Sequence, residues 1–394
     1  MHEIIGYSYP NDVHIHWTLM IVMYPYVTGL VAGAFILGSF YHVFDREEFK
    51  PVARLCLAVS FSFLMVATLP LLNHLGQPQR SFYMFITSNF SSAMAGFGYI
   101  YLTYLIILSL EVWLVFREDI ILLARRSRGL TRMMYKALSL WTYDTSPEAL
   151  AIDHKVTKVL SAIGIPAACI LHGYVGFIFG ALKANPWWST PLMPVIFLFS
   201  AIVSGIAGII IIYQVAMKFS GRKIDREAIS GMTRWLWLFL MMASTLEILE
   251  IVVLAYEGAE EWEIIEPLLT EQLAVSFIGI QLILGSLVPF ILLMISVLLN
   301  RHFDDRVANT LAFVASFLLL LQVFAMRWNV VIGGQLFSKS LRGIREGYSP
   351  HFLEKEGIGA ALAIFILPFI IMLVFNKILP IFRPQRGEEA ASEA

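Results

Sequence analysis

Long apolar runs constrain the fold of this chain more than any other feature of its sequence. Each run holds about 20 or more mostly apolar residues, the length that an α-helix needs to cross a bilayer, where only helices and closed barrels satisfy every backbone hydrogen bond. We therefore predict an all-α polytopic membrane protein with about nine transmembrane helices, or ten if one segment is short or broken. The predicted spans are Trp17–His42, Pro51–Asn73, Ser92–Phe116, Lys158–Leu182, Pro191–Met217, Ile229–Tyr256, Gln272–Leu299, Val307–Arg327 and Ile358–Asn376.

Composition excludes several classes of function. With 58% hydrophobic and 14% charged residues the chain is not a soluble globular domain, and a net charge of -1 offers no basic surface for nucleic acid. The two cysteines, Cys56 and Cys169, lie inside apolar runs, so we interpret them as small core residues and not as cluster ligands. The polar start leads directly into a full-length span, so we expect no cleavable signal peptide.

Lysine and arginine are distributed unevenly between the two sets of loops, which predicts the orientation of the chain. The richer set is placed in the cytoplasm. The N-terminus and the His74–Arg80 stretch then lie outside and the C-terminus inside, in the cytoplasmic membrane. The richer set comprises Arg46, Lys50, Arg54, the cluster from Arg117 to Lys158, Lys218, Arg222, Lys223, Arg226, Arg301, Arg306, Lys377, Arg383 and Arg386; the exceptions outside are Lys339, Arg342, Arg345 and Lys355.

We treat residues 1–394 as a single integral membrane domain. Residues 118–157 form a basic, amphipathic cytoplasmic loop, and we expect this loop to lie on the anionic inner leaflet. Residues 383–394 are expected to form a cytoplasmic tail without ordered structure.

The stretch His74–Arg80 joins two apolar runs and is followed by Asn89 to Met94. Its Gly, Pro, Asn and Ser residues are typical of turns between helices. One interpretation is a simple hairpin in which Asn89, with Ser91 or Ser92, caps the next helix. The other is a functional site, because a histidine and an arginine lie where apolar segments meet water.

Ionisable residues inside spans are costly and therefore indicate function. Glu111 lies toward the inner end of the third span, and Glu247 and Glu250 share one face of the sixth. His172 lies in the outer half of the fourth span, and Arg327 closes the eighth. Structural alternatives remain: Arg327 could snorkel to the headgroups, Glu111 could pair with a cytoplasmic arginine, and His172 could be a hydrogen-bonded core histidine.

Six polar residues are predicted in the outer half of the bilayer: His74, His172, Glu247, Arg327, Asn329 and Asn89. An amphiphilic ligand with a polar head and a lipid tail, such as a quinone, would lie at this depth. Oxidation of a quinol releases two electrons and two protons, so histidine and carboxylate groups are suitable proton acceptors. Haem is the rival cofactor, with His74 and His172 as the candidate axial ligands. No spacing typical of a metal site appears.

Several segments in order resemble the NrfD/polysulfide-reductase family of membrane subunits, over nearly the whole chain. The late segment Arg327–Lys339 looks most like the P subunit of the DsrMKJOP complex. The segments that carry the likeness are Trp17 with Gly29–Ala34, His74–Arg80, Asn89–Met94, Gly164–Pro166, Asn185–Trp188, Ser200–Gly205 and Arg327–Lys339.

The resemblance implies two four-helix bundles and no haem or iron–sulfur cluster in this chain. It implies a menaquinone or menaquinol site near the outer face and an extracytoplasmic ferredoxin-like iron–sulfur partner, alongside other membrane, haem and iron–sulfur subunits. The complex would be linked to sulfite or sulfate reduction. The residues assigned are His74, His172 and Glu247 as catalytic; Trp17, Tyr24, His74, Arg80, Asn89, Ser92, Met94, His172, Arg327 and Asn329 as quinone contacts; and Glu111, Glu247 and Glu250 as a proton path.

Two departures from the family pattern matter. Many relatives have an aspartate where this chain has His74, so His74 is expected to accept the proton instead. The asparagine and histidine that polysulfide reductase offers from its first span have no clear match, since Ile21 and Tyr24 fall there. Two other classes stay open: a transporter or proton-conducting module without a redox ligand, for which Pro166, Pro289 and Pro368 could break spans, and a passive membrane anchor.

Overall fold

The computed structural model describes residues 14–89, 91–258, 261–337, 344–345 and 347–382. Within these ranges the backbone is almost entirely helical and no β-strand forms. Nine helices of the described chain are long and apolar enough to cross a membrane. The prediction of an all-α polytopic membrane protein is confirmed. The predicted tail, residues 383–394, lies outside the described residues.

The α-helices are numbered in chain order, and shorter 3₁₀ and π segments connect some of them. The α-helices are α1 (Leu19–His42), α2 (Lys50–Val66), α3 (Leu69–His74), α4 (Tyr83–Ile86), α5 (Ala93–Arg126), α6 (Gly129–Leu138), α7 (Pro147–Gly180), α8 (Met193–Phe219), α9 (Arg226–Glu257), α10 (Trp262–Pro267), α11 (Val288–Leu298), α12 (Asp305–Val331) and α13 (Ile358–Ile378). The 3₁₀ segments are Glu47–Phe49, Pro78–Arg80, Asn300–His302 and Gly333–Gln335, and the π segments are Leu268–Gln272 and Ala274–Leu287.

The long helices pack as two groups of four. Helices α1, α2, α5 and α7 form one bundle; α8, α9, α12 and the π segment that continues into α11 form the other. The bundles meet mainly where α1 and α7 pack on α8, and α13 packs on α2. This arrangement matches the two bundles that the family resemblance implied.

The contact between α1 and α8 requires two glycines. A Cβ placed on Gly33 would lie 2.2 Å from the carbonyl oxygen of Ala201, and one on Gly205 would lie 2.3 Å from the carbonyl carbon of Gly33. Small residues of this kind let helix backbones approach closely in a membrane, where packing drives association. The two bundles therefore meet backbone to backbone at this point.

A break in the second span places His74 at one end of the molecule. Helix α2 ends at Val66, α3 begins at Leu69 with Pro70 in its first turn, and Leu75 is extended. Pro78 then prevents the helix from resuming, because it has no N–H to donate. We call this the His74 end and the opposite one the His42 end.

The predicted loop 118–157 is largely helical. Helix α5 runs on to Arg126, α7 begins at Pro147, and α6 lies between them. The two long helices are tied beyond the apolar part of each span, where Arg117 Nη1 lies 2.5 Å from Asp153 Oδ2. Hydropathy marks where a span leaves the hydrocarbon, but a helix continues for as long as such contacts support it.

The seventh span is π-helical over most of its length. The N–H of Leu273 donates to the carbonyl oxygen of Leu268 at 2.8 Å, five residues back. The π segment follows Pro267, which ends α10. Such wider turns are rare and frequently accompany functional sites. Here the π segment carries Gln281, which is 4% exposed, into the interior of the second bundle.

Candidate functional site

A completely buried arginine lies where the two bundles meet. Arg327 Nη2 donates to Ser200 Oγ at 2.6 Å, lies 3.1 Å from His172 Nε2, and donates to the carbonyl oxygen of Phe197 at 3.3 Å. Its guanidinium also lies 3.8 Å from the centre of the Phe197 ring. Because arginine stays charged, His172 Nε2 must accept this hydrogen bond, so the ring is neutral there.

Room for the His172 ring comes from a glycine on α1. A Cβ on Gly29 would lie 3.3 Å from His172 Cε1. The other ring nitrogen, Nδ1, is buried and has no hydrogen-bond partner among the described residues, and the same is true of Arg327 Nε. The centre therefore keeps a donor site and a neighbouring ring nitrogen unpaired inside the protein.

A second group of buried polar side chains surrounds Glu247 on α9. Gln281 Nε2 donates to Glu247 Oε2 at 3.0 Å, and Gln322 Nε2 lies 3.3 Å from the same oxygen. Asn329 Nδ2 donates to Gln281 Oε1 at 2.8 Å, and Ser276 Oγ donates to Asn329 Oδ1 at 2.6 Å. These side chains form a continuous hydrogen-bonded chain from Ser276 to Gln322.

Helix α12 separates the two groups and also joins them. Arg327 and Asn329 are two positions apart, which turns their side chains about 200° from one another around the helix. Arg327 therefore faces α7 and α8, whereas Asn329 faces the π segment. Arg327 and Glu247 nevertheless attract one another electrostatically. We call the combined set around Arg327 and Glu247 the buried network.

Glu250 lies beside the buried network, one turn from Glu247 and nearer the His74 end. Both carboxylates line a cavity of about 20 Å³, together with Trp187, Phe277 and Asn329. A volume of this size has room for about one water molecule. Glu250 is partly exposed, so it connects the buried carboxylate with the periphery of the second bundle.

His74 lies in a different group, at the end of the molecule. Its Nδ1 is 2.7 Å from Glu356 Oε2, and the Thr18 hydroxyl donates to the same carboxylate oxygen. A carboxylate can only accept, so His74 Nδ1 carries the hydrogen and Nε2 is left as an acceptor. The histidine and the carboxylate form the base-and-orienter pair that general-base catalysis uses. We call this pair the His74–Glu356 dyad.

The segment before α13 holds Glu356 in place. Asn73 Nδ2 donates to the carbonyl oxygen of Lys355 at 2.7 Å, and Lys355 Nζ donates to the carbonyl oxygen of Leu75 at 3.3 Å. The N–H of Leu19 donates to the Tyr348 hydroxyl at 3.2 Å. Partial burial raises the pKa of Tyr348 above its ordinary value, so this hydroxyl stays neutral. These contacts fasten the chain on both sides of His74.

Tyr24 lies deeper on α1 at the same end. Its ring packs edge-on against Phe97 of α5 at 5.3 Å between ring centres. The Tyr24 hydroxyl is buried and has no hydrogen-bond partner among the described residues. An unpaired buried hydroxyl is costly and usually indicates a missing partner. A ligand that reaches this hydroxyl from the His74 end would find apolar walls on α1 and α5.

The other predicted site residues lie apart from these groups. Trp17 stacks on Trp188 at 5.0 Å, and its backbone N–H and carbonyl oxygen both bond to Gln335, so it fastens the start of α1 to the segment after α12. Glu111 accepts a hydrogen bond from Ser161 between α5 and α7 and contacts none of the groups above. The exposed positions are Arg80 in its 3₁₀ turn, Asn89, whose Oδ1 accepts from Ser91, Ser92 before α5, and Met94.

Sequence reasoning missed several members of both groups. Gln281 and Gln322 are polar residues inside apolar runs, and the rule applied to charged residues would have found them. Ser200 lies in a segment whose sequence indicates only the family likeness. Glu356 lies 282 residues from His74 in a loop, and no periodicity or spacing links the two.

Within the described ranges no group of three or more His, Cys, Asp and Glu side chains could hold a metal ion. The two candidate haem ligands belong to different groups, His74 with Glu356 and His172 with Arg327. The prediction that this chain carries no haem and no iron–sulfur cluster stays a prediction. A b-type band in the reduced-minus-oxidised spectrum of the purified chain would contradict it.

The comparison with known families identifies the chain. The family model described as polysulphide reductase, NrfD, matches residues 9–339. The chain belongs to the NrfD family. The predicted family is therefore confirmed, whereas the narrower likeness to the P subunit of the DsrMKJOP complex stays a prediction. The matched range contains every member of the buried network and His74, and it ends before Glu356.

Several NrfD relatives are named membrane subunits of redox enzymes. The C subunit of the selenate reductase of Mesobacillus selenatarsenatis is 29% identical over 94% of this chain and 87% of its own length. The putative C subunit, in the membrane, of a dimethyl sulfoxide reductase of Halobacterium salinarum is 32% identical over 57% of this chain and 49% of its own. The Hdr-like menaquinol oxidoreductase integral membrane subunit of Archaeoglobus fulgidus is 21% identical over 93% and 86%.

The buried network predicts energetic coupling between Arg327 and Glu247. Replacing Arg327 by Met leaves Glu247 without its compensating charge, so we expect a loss of about 3–5 kcal/mol in unfolding free energy. Adding Glu247→Gln removes that unpaired charge and should recover about 1 kcal/mol or more relative to additivity. Unfolding of the four proteins of this cycle in detergent measures the coupling.

Glu250→Gln serves as the matched control, because Glu250 lies one turn away on the same helix and does not pair with Arg327. Its cycle with Arg327→Met should be additive within about 0.5 kcal/mol. Equal coupling at both carboxylates, or none at either, would contradict the network.

Proposed function

We propose that this chain is the quinol-oxidising membrane subunit of a respiratory redox complex. The observation that carries the proposal is the His74–Glu356 dyad, which presents His74 Nε2 as an acceptor at the end of a broken span. A bound quinol supplies two electrons and two protons. A histidine oriented by a carboxylate is suited to take such a proton near neutral pH.

The residues around the dyad have separable roles. Glu356 fixes the ring of His74 and favours the state in which Nδ1 carries a hydrogen. Thr18 fixes Glu356, and the Tyr24 hydroxyl offers a hydrogen bond deeper in the same end of α1. Apolar walls such as Phe97 exclude water from the ring of the ligand, which strengthens these polar contacts. His74 then passes the proton toward the surface.

The remaining assignments follow from the family and the basic residues. We propose that the His74 end is the outer face of the cytoplasmic membrane, with the C-terminus in the cytoplasm. The quinol is menaquinol, as the name of the Archaeoglobus fulgidus relative suggests. Electrons pass to an extracytoplasmic ferredoxin-like iron–sulfur subunit, in a complex with further membrane, haem and iron–sulfur subunits. The link to sulfite or sulfate reduction stays a prediction from resemblance.

A second proposal assigns the buried network to proton movement. Glu247 is 6% exposed and lies about 15 Å of helix rise from the end of α9. Glu250 lies one turn nearer that end and shares a cavity with it. Protons can move between two carboxylates across such a cavity, while Arg327 balances the charge that remains. Glu111, which lies separately with Ser161, would serve the inner part of this path.

The alternative classes explain fewer of these observations. A passive anchor has no use for a buried arginine, which is costly to place in a membrane. A transporter without a redox ligand accounts for the buried network but not for a histidine–carboxylate dyad at the end of the molecule. The dyad and the network together favour quinol oxidation.

Replacing His74 by Ala removes the proton acceptor, and we expect menaquinol oxidation by the complex to fall about 100-fold or more. His74→Gln keeps a hydrogen bond but cannot take the proton, so it should retain quinol affinity better than turnover. Glu356→Gln leaves the base but weakens its orientation, so turnover should fall less and its pH profile should shift. The assay is turnover against pH with a menaquinol analogue.

His351→Ala is the control, because His351 is an exposed histidine in the same segment as Glu356. It should oxidise quinol at the parental rate. Parental turnover in all three site variants, with the complex assembled, would show that His74 is only a residue at a helix end.

Neutralising Glu247 tests the proton role separately. Glu247→Gln keeps the shape and the hydrogen bonds from Gln281 and Gln322, so we expect intact assembly and quinol affinity. Turnover or its coupling to proton release should fall, by about tenfold or more if the path is obligatory. Proton release by the complex in vesicles measures it, and unchanged release and turnover would assign the carboxylate a structural role.

A further inference from the structure

The largest cavity in the described part of the chain lies at the His42 end, opposite the dyad. Its volume is about 930 Å³, compared with about 20 Å³ beside Glu247. It lies between the ends of α1, α2, α5, α7, α8 and α9, and Ile381 and Phe382 close one side of it. The roles proposed above make no use of this space.

Positive charge prevails on the wall of this cavity once internal pairs are considered. Five of its residues are basic: Lys50, Arg54, Arg222, Lys223 and Arg226. Four are acidic: Glu118, Asp153, Asp225 and Glu227. Two of the acids already serve the protein itself, because Asp153 pairs with Arg117 and Asp225 accepts from the N–H of Ala228 to cap α9.

A buried histidine on the wall lacks a partner. His42, the last residue of α1, is 5% exposed, and its Nε2 has no hydrogen-bond partner among the described residues. A buried ring nitrogen without a partner costs free energy, so a ligand that bonds to it would be stabilised. The first turns of α2 and α9 lie on the same wall, and the partial positive charge of a helix N-terminus favours an anion.

The rest of the wall is apolar. Leu114, Leu150, Met217, Ile224 and Phe382 line the cavity between the charged residues. Its position at the ends of the spans is the depth of lipid headgroups. A wall with cations and an unpaired histidine beside an apolar surface suits a group that carries an anionic phosphate on an apolar body.

We propose that this cavity binds a phosphate group, supplied either by the headgroup of an anionic lipid or by free phosphate. Lys50 and Lys223 provide positive charge at its rim, and His42 Nε2 bonds to a phosphate oxygen inside it. The site is independent of quinol oxidation, since it lies at the other end of the molecule. Its ligand would fasten the start of α2 to the loop before α9.

The test compares phosphate sources on the purified, delipidated complex. Short-chain phosphatidylglycerol and inorganic phosphate are titrated separately at matched ionic strength, and the shift in unfolding temperature gives each affinity. The double variant Lys50→Gln with Lys223→Gln should bind the effective ligand about tenfold more weakly. His42→Leu should bind it more weakly as well, whereas His42→Gln, which keeps a donor, should retain more of the affinity.

Lys218→Gln is the matched control, because Lys218 is an exposed lysine close to the same loop and is not on the cavity wall. It should bind like the parent. An effect of phosphatidylglycerol alone assigns the phosphate to a lipid, and an effect of inorganic phosphate assigns it to the free anion. Parental affinity for both probes in the double variant and in His42→Leu, or no binding by the parent, would overturn the proposal.

Discussion

The rest of the structure depends on satisfying one buried charge. Arg327 is 0% exposed, and a guanidinium inside a membrane protein is tolerated only where its donors and its charge are met. Ser200 and Phe197 on α8 and His172 on α7 accept from it, and Glu247 on α9 balances its charge. Four helices from both bundles are therefore committed to one relative position.

The packing around this charge follows the same constraint. Gly29 leaves room for the His172 ring, and Gly33 and Gly205 let α1 and α8 approach closely one turn farther along. The π segment carries Gln281 between Glu247 and Asn329, which completes the hydrogen-bonded chain on the other side of α12. The two bundles are held by backbone contact at the glycines and by polar contact at the arginine.

Two polar groups with different exposure divide the chemistry that we propose. The His74–Glu356 dyad is partly exposed at the end of the molecule, where a base can exchange protons with water. The buried network is almost closed to water, and its amides fix the orientation of one carboxylate. A group that accepts a proton must be reachable, whereas a group that passes it inside a membrane must be shielded.

The sequence predicts the helical spans well because apolar length directly reflects the thickness of a membrane. It also identifies His172, Glu247 and Arg327, since each is ionisable inside an apolar run. It does not give the ends of α5 and α7, because the pair of Arg117 with Asp153 supports them beyond the hydrocarbon. Glu356 could not be found, because the fold alone brings a loop residue to His74 across most of the chain.

The central claim is that the head of the quinol binds beside His74. A photoreactive menaquinone analogue, bound to the complex and activated by light, tests this most directly, with labelled peptides located by mass spectrometry. We expect labels on α3, the first turns of α1 and α5, and the segment that carries Glu356, and weaker labelling in His74→Ala. Labelling confined to the cavity at the His42 end, on α2 or the loop before α9, would contradict it.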